Sequence, residues 1–293
     1  MNEPEPRAHH RAIALMVAAA TLWSIAGVVT RQLDFAGRWE VTFWRSLFAG
    51  AFVLAALLFT RGRGAWAAVR ATGGYGILSG AMWAIMFVAF MLALMTTTTA
   101  NTLIVNSITP LVAALLARAV LREPIAQRTW AAIALAIAGM LWMFGAGFAG
   151  GEPRHLAGML IALAVPLAAA VNMVTLKHAG RSVDLIPAVF LGAVFSAILT
   201  LPYALPLRAN AHDLMLLAAL GCLQLGLPCM LMVRASRHLS ASEIALLALL
   251  EVVLGPLWAW LGAGEAPALA TLAGGAVVII ALVLNELTAP QKA

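Results

Sequence analysis

One acid interrupts one of the most apolar stretches of the chain: ALLALLEVVLGPLWAW, residues 245–260, carries Glu251 near its midpoint. A carboxylate at the centre of an isolated apolar helix costs about 2.5–3.5 kcal/mol on insertion scales, so something should face it or use it. Two roles fit: a site for substrate or a proton, or a neutral glutamic acid bonded to backbone groups that a helix distortion has freed. Neutral polar groups recur in other apolar stretches, as Asn106 and Ser107, Asn172 and Gln224. Each amide offers two donors and an acceptor, enough to hold a carboxylate or an ammonium without adding charge. The same amides would also serve as interhelical hydrogen bonds, worth about 0.6 kcal/mol on average. Of nine tryptophans, Trp39, Trp66 and Trp130 fall near the ends of apolar stretches and read as interfacial anchors. Trp23, Trp83 and Trp258 fall deeper, where a ring stacks on a substrate or packs against lipid. Trp23 is the strongest of the three as a lining residue, because Thr21 and Ser24 share its segment.

Covalent catalysis finds little to work with. The six histidines, His9, His10, His155, His178, His212 and His238, all fall in termini or at the ends of apolar stretches. An intramembrane enzyme needs a nucleophile and base, or metal ligands, at depth. GILSG at 76–80 is accompanied by no deep histidine. The reading is therefore not an enzyme, with no cofactor and no metal called for. Cys222 and Cys229 lie seven apart on one apolar run, about 10 Å on a helix and beyond the reach of a bridge, roughly 7 Å.

The elements that must position these groups are membrane helices. The 293 residues are 63% hydrophobic and 10% charged, with a mean hydropathy of +0.96, whereas a soluble domain keeps about a quarter of its residues charged. At about 20 apolar residues per crossing, ten segments are predicted: 12–32, 40–60, 74–95, 98–119, 129–149, 155–177, 184–206, 213–233, 242–262 and 268–288. The leader MNEPEPRAHHR lacks the basic start of a signal peptide, so the first helix is expected to be retained. Arginines and lysines gather in the segments that lie on the side of the termini, Arg61, Arg63, Arg70, Arg122, Arg128, Lys177, Arg181, Arg234 and Arg237 among them. The opposite side holds Arg31, Arg38, Arg154 and Arg208. This asymmetry places both termini in the cytoplasm and accounts for the net charge of +6 without a nucleic-acid partner.

Sliding the chain by 142 residues lays the fourth segment over the ninth, matching Leu115 to Leu257, Ala117 to Ala259 and Glu123 to Glu265. Residues 1–150 and 151–293 then form two five-helix halves, and an odd number of crossings inverts the second against the first. The expected fold is an all-α membrane protein of ten helices in two inverted repeats. Pro110, Pro166, Pro228 and Pro256 fall inside the fourth, sixth, eighth and ninth segments and invite kinks. The fifth and tenth segments contain none. The tenth carries Ala270 and Gly274 at a spacing suited to close packing, so this pair is expected outside a cavity ringed by the other eight. Arg45 lies about five residues into the second segment, shallow enough to snorkel; its other reading is a gate or an anion contact.

TPLVAALLARAVLRE (109–123), LEVVLGPLWAWLGAGE (250–265) and FWRSLFAG (43–50), with the two five-helix halves, resemble the EamA-type transporters of the drug/metabolite transporter superfamily. The acidic helix ends at Glu123 and Glu265 match the family pattern. The usual Glu-Pro pair is broken, since Val252 follows Glu251 and the proline stands at 256, so the kink is expected about one turn further on. The resemblance implies a carrier working by alternating access, often exporting amino acids or other metabolites. The tryptophan content is most similar to aromatic amino acid exporters of the YddG type. Small multidrug exporters rely on a glutamate in their first helix, which is absent here.

Trp23, Ser24, Trp83, Asn106, Asn172, Gln224, Glu251 and Trp258 are thus the candidate substrate-binding residues. With no deep lysine or histidine they suit a phosphate ester poorly. A zwitterionic amino acid would set its ammonium against Glu251, its carboxylate against Asn106, Asn172 or Gln224, and an apolar or aromatic side chain on a tryptophan. A lipophilic cation is the alternative cargo, and a channel the alternative mechanism. A small-molecule substrate and membrane lipid are the expected partners, in an inner membrane. Direction, coupling to protons and oligomeric state stay open at this stage.

Overall fold

Alanine, leucine and valine dominate the apolar stretches, and in hydrocarbon only a helix bonds every backbone amide within its own segment. The computed structural model, which describes residues 5–122, 125–149, 153–179, 186–235, 238–239 and 241–287, is accordingly helical, with no strand among the described residues. The helices are α1 (Glu5–Ser24), α2 (Ala26–Thr30), α3 (Arg38–Arg61), α4 (Ala65–Ala71), α5 (Gly73–Leu94), α6 (Thr99–Ser107), α7 (Thr109–Leu121) and α8 (Gln127–Ala149). They continue with α9 (Pro153–Ala162), α10 (Ala164–Ala179), α11 (Ile186–Ala204), α12 (Ala211–Ala219), a π-helical segment (Leu220–Gly226), α13 (Leu227–Ala235), α14 (Ala241–Ala263) and α15 (Leu269–Leu287). Every one of the ten predicted segments holds helix. Seven of these helical stretches are long and apolar enough to cross a membrane, and Leu247–Ala263 and Leu269–Asn285 are shorter apolar helices.

Four segments are broken rods. Pro110 sits in the first turn of α7, and Ile108, at φ −74° and ψ −3°, separates α6 from α7. Pro166 follows a break at Leu163, where the flanking backbone bonds lengthen to 3.3 and 3.4 Å. Pro228 follows the π-helical segment; its ring would crowd, and its missing N–H would leave unbonded, the carbonyl one turn back, and the wider π turn absorbs both defects. The break at Ile25 has no proline. There the Ser24 hydroxyl donates to Thr21 O at 2.7 Å, a local bond that bends helices. Pro256 breaks no helix, since it lies inside a continuous α14.

The packing has an exchange symmetry. Numbering the ten segments in order, α5·α11 (third with seventh) is matched by α3 against the eighth, and α5·α10 (third with sixth) by α1·α13 (first with eighth). Likewise α1·α14 (first with ninth) is matched by α7·α10 (fourth with sixth), while α3·α11 and α8·α15 exchange into themselves. In α8·α15 the small residue that matters is Gly274: a Cβ on Gly139 would lie 2.7 Å from Gly274 O, so the two backbones touch. Leu141, Trp142, Ile280 and Leu284 of this pair are exposed, as suits a face against lipid.

At the end of the bundle away from the termini, three carboxylates tie loops to helices. Asp213, at the start of α12, accepts from the amides of Asp34, Phe35 and Ala36 at 2.9, 3.1 and 3.1 Å. Glu40, at the start of α3, accepts from Arg208 and Ala209 N at 2.8 Å each and from Trp44 Nε1 at 3.3 Å. Glu265 pairs with Arg31 at 2.8 Å and accepts from the backbone and hydroxyl of Thr99.

Candidate functional site

Arg45 enters the middle of the bundle two turns into α3. It is not a snorkelling residue at the rim: only 2% of it is exposed, which corrects the shallow placement expected from its distance to the helix start. The close approach of two helices puts it there. A Cβ on Gly221 would meet Arg45 O and Phe48 Cβ at 2.6 Å each, and one on Gly226 would meet the Phe52 ring at 2.8 Å. With glycines at both ends of the π-helical segment, its backbone lies against α3 and Gln224 is brought onto the guanidinium. Arg45 Nε and Nη2 donate to Gln224 Oε1 at 3.1 and 2.9 Å. The Phe90 ring centroid lies 5.8 Å from the guanidinium carbon, within cation–π range. Arg45 Nη1 is buried without a hydrogen-bond partner.

Gln224, 1% exposed, returns a donor to Trp23 O at 3.2 Å, near the α1/α2 break, where helix-end carbonyls lack intrahelical partners. Glu251 lies on α14, ten residues from its start and about 15 Å along it. It is 9% exposed and accepts no hydrogen bond among the described residues. Arg45 and Cys229 lie within its electrostatic range, and no direct ion pair joins it to Arg45. Two turns further along α14, Trp258 Nε1 donates to Ser24 Oγ at 3.1 Å. The break in the first segment is therefore held from the π-helical segment through Trp23 and from α14 through Ser24.

Five of the eight candidates from sequence, Trp23, Ser24, Gln224, Glu251 and Trp258, converge on this centre. Asn172 is instead bonded to Ser79, whose hydroxyl donates to Asn172 Oδ1 at 2.7 Å. Trp83 packs on Phe87, with ring centroids 5.5 Å apart. Asn106 is half-buried at the end of α6, outside these bonds, and its carbonyl takes the Thr109 hydroxyl at 2.7 Å. Thr109, the counterpart of Glu251 in the first half, thus spends its hydroxyl within its own segment, across the α6/α7 break, as Ser107 spends its own on Ile104 O. Asn101 is bonded to Thr97 and Thr271. The sequence reading missed Arg45 as a deep group; its signal was the charge inside FWRSLFAG, and the premise that the centre lacks a cation no longer holds.

Asp34, His212 and Asp213 offer ligand atoms within 4.8 Å of one another, but the Asp213 carboxylate is committed to backbone amides and Asp34 faces His212 at 3.4 Å. Glu123, the partner of Glu265 in the repeat, lies outside the described residues.

The profile of the EamA-like transporter family matches residues 10–145 and again 156–287. The chain belongs to the EamA-like transporter family. It is thus a multi-pass membrane transporter of the drug/metabolite superfamily built from two repeats, with a small-molecule substrate and a lipid surround, and the family is one of transporters and not of enzymes. Among curated proteins none matches the chain. A solved structure described only as "Crystal structure of protein" is similar at 20% identity, covering 97% of this chain and all of that one with a TM-score of 0.68. That likeness shows a shared fold over nearly the whole chain.

Proposed function

We propose that this EamA-like chain is a secondary transporter that exports amino acids with apolar or aromatic side chains across an inner membrane, with ten crossings, both termini cytoplasmic and two inverted halves that alternate in access. The observation that carries the reading is the centre itself: a buried arginine from the first half and a glutamate from the second, not paired, with Trp23 and Trp258 at the neighbouring break in the first segment. An inverted-repeat carrier holds its substrate between its halves near the midplane. One positive and one negative group at that depth suit cargo that carries one of each, and the indoles add about 0.5–1.5 kcal/mol for an aromatic side chain beyond area burial. The lipophilic-cation alternative uses Glu251 and the rings, but has no use for Arg45.

Purified protein in liposomes should take up phenylalanine, tryptophan and methionine saturably, with counterflow, in preference to aspartate or sugar phosphates. A panel run with and without a pH gradient reports coupling to protons at the same time. Preference for phosphate esters would overturn the substrate class, and linear, unsaturable flux would make the protein a channel.

A further inference from the structure

We propose that Arg45 is the group that holds the substrate's carboxylate, with Gln224 as the residue that aims it; the inference rests on the amino-acid reading above and names the anchor within it. A guanidinium has five N–H donors in a plane. Gln224 Oε1 takes one from Nε and one from Nη2, which fixes the plane and closes that edge. The two N–H of Nη1 and the remaining one of Nη2 are left, and the end-on edge they form is the fork that receives a carboxylate through two parallel bonds. Nη1 is buried and has no acceptor, a costly state for a charged donor unless something else fills it during the working cycle.

Among the described residues no protein group fills that role. Glu251 is near enough to be felt but does not make the contact, and its own carboxylate accepts no hydrogen bond among the described residues. Each charged group is therefore half answered by the other through space and left open at short range. A zwitterion satisfies both: its carboxylate takes the end-on fork of Arg45 and its ammonium takes Glu251. Total charge at the centre stays unchanged on binding. An anion or a cation would each leave one unit uncompensated in low dielectric, which a buried site tolerates poorly. In this proposal Gln224 acts on the substrate through Arg45, since its oxygen takes two donors from the guanidinium and one of its two N–H groups is given to Trp23 O.

Uptake of labelled phenylalanine into liposomes can be competed with three ligands of one shape: phenylalanine, phenylalaninamide, which keeps ring and ammonium but has no carboxylate, and 3-phenylpropionate, which keeps ring and carboxylate but has no ammonium. On the wild-type protein both truncated ligands should compete about tenfold or more weakly than phenylalanine. Arg45→Lys retains the charge but not the fork, so it should weaken phenylalanine while leaving phenylalaninamide unchanged. Phenylalaninamide competing as well as phenylalanine on the wild-type protein would overturn the assignment of Arg45 and leave amino-acid transport standing. No phenylalanine uptake at all by the wild-type protein would overturn the reading on which it rests. The wild-type competition decides the matter even if the variant fails to fold.

Discussion

Arg45 and Glu251 are matched in charge but not in satisfaction. Arg45 has an amide acceptor and an aromatic ring beneath it, whereas Glu251 accepts no hydrogen bond among the described residues, is met by Arg45 through space and keeps a small opening to its surroundings. A glutamate left this way is a receptor for a mobile positive charge, either the ammonium of a substrate or a proton. The arrangement favours the first, because neutralising Glu251 alone would leave Arg45 uncompensated. Glu251→Gln is therefore expected to lower both pH-driven uptake and solute-for-solute exchange in liposomes by about tenfold or more. Exchange that persists while the pH-driven mode is lost would make Glu251 a proton carrier instead.

At the level of elements, the departures from ideal helix do the positioning. The π-helical turn rotates the eighth segment relative to a plain α-helix, and Gly221 lets it lie against α3; π turns of this kind often accompany functional sites. The break at Ile25 exposes Trp23 O to Gln224 and sets Ser24 under Trp258. At the end away from the termini, Asp213 clips the loop between α2 and α3 onto α12, so that loop cannot shift without losing three charge-assisted bonds. Asp213→Ala should cost about 1.5–3 kcal/mol of stability, seen as a lower unfolding midpoint in detergent, and should raise labelling of a cysteine placed at Phe35. An unchanged midpoint and unchanged labelling would mean that the loop is held by other contacts.

For the molecule as a whole, the exchange of packing partners between the first five segments and the second five is what two related halves around a pseudo-twofold axis require, and both matches of the family profile fall on those halves. The halves meet along every pair named above, α3·α11 and α8·α15 being the two that exchange into themselves, and the candidate site draws Trp23, Ser24 and Arg45 from one half and Gln224, Glu251 and Trp258 from the other. A rocking motion would then change the distance between opposite charges, which gives substrate a direct hold on the motion. The orientation proposed from the basic residues is open to test: with Cys222 and Cys229 removed, single cysteines in 61–70 should be shielded from an impermeant reagent in intact cells, and those in 207–212 should react. Labelling of 61–70 from outside would reverse the topology. Residues 150–152 and 180–185, which carry parts of the other two loops that bear on orientation, lie outside the described residues.

Sequence alone determined what each stretch must do with its own backbone and solvent. Apolar runs of about 20 residues fold as helices because hydrocarbon leaves no other way to satisfy the peptide groups, and Pro110, Pro166 and Pro228 mark places where one rod becomes two or widens, because a missing N–H is a local fact. Glu251, Trp258, Ser24 and Gln224 stood out for the same local reason, as polar or amphipathic groups in apolar surroundings. Which of them meet was a matter for the tertiary structure. Asn172 and Asn106 look like Gln224 in sequence, yet one is spent on Ser79 and the other lies outside the bonds of the centre; for Asn172 and Gln224 the partner that decides is more than 90 residues away. Arg45 was the largest revision. Its depth along α3 suggested the rim, but burial depends on what packs around the helix, and Gly221, more than 170 residues later in the chain, brings the eighth segment in over it.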